Sequence, residues 1–164
     1  MLYTKIKQEC LNRHRNLVAQ LDFLRKRKFE ILNQFGLKAY DYSKIKVTSG
    51  SKKLTDQERA VIALEKINKK IKDLEIIVLP EQQEIEAQID RLYDYTNDFR
   101  HPDILKRLYV DGESIKDVIT AYYGEDNKSN RRSIEGLRNT AIKLLEKVSD
   151  APFIEVKQLV LEDW

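Results

Sequence analysis

The sequence predicts an all-α protein: a long antiparallel, coiled-coil-like helical hairpin over residues 1–101, followed by a C-terminal helix-turn-helix arrangement over 102–148 and a short tail over 149–164. Three observations predict it. Only five Gly and three Pro punctuate 164 residues of which 35% are charged, a composition that favours helices over sheet. Two long apolar series step by fours and threes, the spacing of a coiled-coil seam. Beyond them lie three shorter apolar-periodic segments, separated by Gly-containing breaks.

The first series runs Cys10, His14, Leu17, Leu21, Leu24, Lys28, Ile31 and Phe35, and predicts one long helix ending near Gly36. After it, Ala39 to Leu54 (AYDYSKIKVTSGSKKL) has no helical period and contains Ser49-Gly50-Ser51, so a linker is expected near 37–54. Thr55 followed by Glu58 has the spacing of a capping box and marks the start of the second helix.

That helix carries Ala60, Leu64, Ile67, Ile71, Leu74 and Val78, then Ile85, Ile89, Leu92 and Phe99. Pro80 lies between the two runs and removes a backbone donor, which predicts a kink there rather than a helix end. Matching seams predict an antiparallel hairpin within one chain, and the same seams leave homodimer formation open.

Pro102-Asp103 opens a third segment, Ile104 to Val110, stopped by Asp111-Gly112. Ser114 is the expected cap of a short helix that buries Ile115, Val118 and Ile119 and ends near Gly124. A polar loop, Glu125 to Ser129, precedes the last helix, which begins at Asn130 and carries Ile134, Leu137, Ala141, Leu144, Leu145 and Val148. The tail, with its run APFIEVKQLVLEDW, is apolar and acidic; covering the core is its favoured role, docking a partner the other.

Several functions are disfavoured by what the chain lacks. The longest apolar run, Ala60 to Leu64, is far short of the roughly 20 residues a membrane helix needs, so no membrane association is expected. The polar, basic residues after Met1 give no secretory signal, and the single Cys10 forms no internal disulfide, so the cytoplasm is the expected location. Cys10 and His14 present two of the four ligands of structural zinc and read as seam residues. No Gly-rich phosphate loop occurs. Asp103 with Glu155-Val156-Lys157 lacks the strands that aim nuclease carboxylates. Neither a cofactor nor a catalytic residue is expected, and the chain reads as a non-enzyme.

Charge is uneven. Residues 1–34 hold eight Lys/Arg against three acids and 55–101 hold seven against eleven, so basic and acidic segments alternate. The run Arg25-Lys26-Arg27-Lys28 spreads around its helix and reads as a solvated face. Three helices ending in one with a basic start fit either an ordinary three-helix bundle or a unit whose last helix enters the DNA major groove. Spacing alone leaves both open.

The residues carry a resemblance. ILKRLYVDGESIKDVITAYYG, with Leu105, Tyr109, Asp111-Gly112, Ser114 and Val118, resembles the first half of a sigma-factor region 4 type helix-turn-helix. Ile134, Ala141 and Leu145 are similar to the recognition helix of that family. Upstream, DYSKIKVTSGSK is similar to the linker of the RinA-like or ArpU-like phage late-gene activators. The segment GEDNKSN before the last helix reads as several residues longer than the family's turn, and it places Glu125 and Asp126 where phosphate would approach.

The resemblance implies a DNA-binding transcriptional regulator of phage or prophage late or packaging genes, with double-stranded DNA as partner and host RNA polymerase as a candidate second one. The site residues it implies are Asn130, Arg131, Arg132, Ser133, Arg138, Asn139 and Lys143. Arg131 and Arg132 would meet phosphates, while Ser133, Arg138 and Asn139 would reach base edges. Gly136 within this helix costs about 1 kcal/mol relative to Ala unless something passes close by, either DNA or a neighbouring helix. The alternative function is a protein-interaction adaptor or inhibitor that binds a host protein through the coiled coil.

Overall fold

The computed structural model describes residues 2–35 and 55–148; the expected linker and the tail lie outside the described residues. Every described element is helical: α1 (Leu2–Gln34), α2 (Asp56–Thr96), α3 (Arg100–Leu105), which continues into a π-helical turn (Lys106–Val110), α4 (Ile115–Tyr123) and α5 (Lys128–Val148). The chain forms two compact units, one of residues 20–76 and one that combines 1–19 with 77 onward.

In the unit of residues 20–76, α1 and α2 pair antiparallel along the expected seam. Ile31 packs with Ala60 and Leu64 at one end. An Arg25–Glu75 ion pair of 2.9 Å spans the two helices at the other. Leu21, Ile71 and Leu74 are buried, while Leu24 and Lys28 are half-buried. The start of α2 is fixed as the capping box requires: Thr55 Oγ1 accepts from the Glu58 amide, and Glu58 accepts from the Thr55 amide. The helix runs through Pro80 without ending.

In the other unit the α1–α2 seam is polar at several steps. Leu11, not Cys10, is the fully buried residue of the first turns; Cys10 is half-buried. Around Leu11 the seam holds Lys7, His14, Glu81 and Gln88, all buried. Glu81 accepts from Arg13 at 2.9 Å and faces His14 Nδ1 at 3.2 Å. Lys7 donates 2.8 Å to the Leu145 carbonyl near the end of α5. Water is shut out here, so each charge must find its partner inside the protein.

The C-terminal helices share one core with this seam. Leu11, Ile85, Ile89 and Leu92 pack with Ile104, Leu105, Leu108, Val118, Ile119, Ile134, Ala141, Ile142 and Leu145. Residues 102–148, expected as a separate domain, therefore complete a core begun by α1 and α2.

The junction after α2 turns at Asn97, whose φ of 53° is left-handed. Asp98 then receives the Arg100 amide and guanidinium, bonds that hold its carboxyl down at about 2. α3 starts at Arg100, so Pro102 sits in a first turn, where its missing amide costs least. The Asp111 amide bonds the Lys106 carbonyl at 3.0 Å, and Gly112 at φ 71° redirects the chain. Ser114 caps α4 through a capping box with Asp117, and α4 ends at Gly124, φ 80°.

Candidate nucleic-acid interface

The helices on which α5 packs are tied to one another by a polar frame around Asp103. Tyr122 on α4 donates 2.5 Å to Asp103, which also receives Arg107 at 3.0 Å. Burial, reinforced by the hydrogen bond to Asp103, pushes the Tyr122 hydroxyl pKa upward. Arg107 reaches Glu113, whose carbonyl accepts from Arg15 of α1. α3 and α4 both pack on α5, and burial of Ile134, Ala141, Ile142 and Leu145 in the shared core fixes the rotation of α5 about its axis.

The connection from α4 to α5 is four residues, Gly124 to Asn127. This corrects the sequence expectation of a longer loop. Asn127 accepts from the Asn130 amide at 2.9 Å and thereby starts α5 at Lys128, absorbing Lys128 and Ser129 into the helix. The acidic residues of the turn are tied down as well. Asp126 pairs with Arg131 at 2.7 Å, and Glu125 accepts from Asn127 at 2.8 Å. A four-residue connection containing Gly is the length found between the two helices of helix-turn-helix units.

With about 100° per residue, Ser129, Arg132, Ser133, Gly136, Asn139, Thr140, Lys143 and Lys147 share one side of α5. All are exposed, opposite the buried Ile134, Ala141 and Leu145. No carboxylate falls on that side, since Glu135 and Glu146 lie on its flank and are half-buried. Arg132 and Lys143 make no hydrogen bond or ion pair among the described residues, so both cations are open to an external anion. Ser133 bonds back to the Ser129 carbonyl, and the Asn139 amide oxygen receives Arg138.

Four of the seven residues named from sequence, Arg132, Ser133, Asn139 and Lys143, thus come together. Three do not. Asn130 is half-buried and donates to the Glu125 carbonyl, making it part of the turn. Arg131 is held by Asp126. Arg138 was expected to face outward with Ser133 and Asn139, but it is half-buried on the core-facing side. There it lies near Tyr109, whose hydroxyl pKa burial raises while Arg138 and Arg15 draw it back. The physical reason is rotation: with Ile134 and Leu145 fully buried, position 138 falls nearest to their side. Sequence reasoning missed Thr140, Ser129 and Lys147. Helical spacing from Arg132 and Ser133 would have found them.

Among the described residues no three His, Cys, Asp or Glu side chains group as a metal site, and no helix is long and apolar enough to cross a membrane. Compared with known proteins, the chain matches no family, no curated protein and no solved structure.

Proposed function

We propose that this chain binds double-stranded DNA sequence-specifically through the exposed side of α5, and that it regulates transcription of phage or prophage late or packaging genes. The observation that carries the reading is the carboxylate-free face of α5, on which Arg132 and Lys143 stand open beside the short polar side chains of Ser133 and Asn139. Cations with no partner among the described residues attract a polyanion, and Asn is suited to adenine while Ser is suited to several base edges. Duplex DNA is favoured over other nucleic acids. The major groove of an RNA duplex is too narrow for a helix, and single strands are held by stacking on aromatics, of which this face has none. Host RNA polymerase as second partner and a homodimer on a two-fold site belong to the same proposal.

A second reading is an adaptor that binds a host protein through its long helices. Phe23 and Phe29 favour it, being 67% and 65% exposed in the unit of residues 20–76.

Gel-shift titration of duplex fragments flanking the encoding gene, over a series of salt concentrations, separates the two readings. DNA binding predicts affinity falling steeply with salt. Arg132→Ala with Lys143→Ala should flatten the log–log slope by roughly 2, while Arg138→Gln leaves it unchanged. The adaptor reading predicts that these substitutions are silent. Absence of binding to any duplex at low salt removes the DNA reading.

A further inference from the structure

We infer that Gly136 is where the backbone of α5 comes closest to DNA, and that its missing side chain is a determinant of sequence specificity. The inference rests on the duplex-DNA reading of this face. Gly136 is exposed in the interior of α5, a helix of 21 residues, where Gly is among the least favourable choices. Nothing among the described residues accounts for it. A Cβ placed there meets nothing within 4 Å among the described residues, and its backbone is not left-handed, unlike Gly112 and Gly124. Close packing on another described helix is thereby removed as the cause.

Whatever approaches the position must suit its surroundings. One turn to either side stand Arg132, Ser133, Asn139 and Thr140, with Lys143 beyond. A second copy laid on the same face would set cation against cation with no carboxylate between them, which opposes self-association. A polyanion meets no such repulsion.

The side chains also set how near it must come. Ser133 and Asn139 are short, so they reach base edges only when the helix axis lies deep in the groove. A helix whose midpoint lacks a side chain can lie deeper, and that makes these short readers effective.

The test is Gly136→Ala in the full chain, measured against two duplexes: the tightest-binding fragment from the flanks of the encoding gene, and an unrelated duplex of equal length. Thermal unfolding should rise by about 2–4 °C, since Ala favours helix and has room. Affinity for the first duplex should fall about tenfold or more, with affinity for the second at low salt unchanged. A raised Tm with unchanged affinity for both overturns the inference and leaves the DNA reading standing. Equal loss on both duplexes overturns the specificity role, and a lowered Tm shows that Gly136 serves the fold instead. If the parent chain binds neither duplex, the DNA reading itself has failed.

Discussion

Glu81 is a carboxylate with no exposed surface, facing a His14 that is equally buried and an Arg13 whose side chain remains 38% exposed. Its worth lies less in the attraction than in what its removal would leave behind. Glu81→Ala deprives Arg13 of its acceptor and buried His14 Nδ1 of its partner, and His14 Nε2 has no partner among the described residues. A loss of about 3 kcal/mol in denaturant unfolding is expected. Joining it to His14→Leu, with Leu at position 81, should recover much of that, because two apolar residues ask nothing of the site and Arg13 can swing to solvent. A single-substitution loss below about 1 kcal/mol would mean that water reaches the pair. His14 was legible in the sequence because it falls on the seam, as does Leu17. Lys7, Glu81 and Gln88 were not, since charge and amide groups are ordinarily read as solvent-facing.

The elements were legible wherever a local signal fixed an end. Thr55 with Glu58 and Ser114 ahead of Val118 and Ile119 gave the starts of α2 and α4 because capping is a short-range hydrogen-bond pattern. The start of α5 was misplaced by two residues, as Lys128 and Ser129 look like loop until Asn127 is recognised as the cap. That small error made the turn look longer than the four residues, Gly124 to Asn127, that it occupies. Pro80 offers the test at this scale. It is exposed and interior to α2, so Pro80→Ala restores a backbone donor and sacrifices no core contact. Denaturant unfolding should show a gain of up to about 3 kcal/mol. A lower midpoint instead would assign Pro80 a packing role.

At the scale of the whole molecule, periodicity reads one helix at a time and is blind to which helices share a core. It therefore separated residues 102–148 from the hairpin, whereas Leu11, Ile85, Ile89 and Leu92 pack into the same cluster as Ile134 and Leu145. The fragment 102–148 alone should show no cooperative thermal transition by circular dichroism, because one wall of its core is missing. A fragment that melts cooperatively by itself would contradict the shared core. The same arrangement ties the candidate face to distant chain, since α5 is oriented by α3, α4 and the early turns of α1.

The bond from Lys7 to the Leu145 carbonyl closes 138 residues of chain. On a translating ribosome the first helix emerges long before the last, and its opening turns have neither their acceptor nor their share of the core until α5 has left the exit tunnel. Residues 20–76 face no such wait, being drawn from neighbouring stretches of the message. Synthesis and maturation are thus linked by architecture: a product truncated before α5 keeps the pairing made early, and it lacks both the candidate face and the carbonyl that receives Lys7.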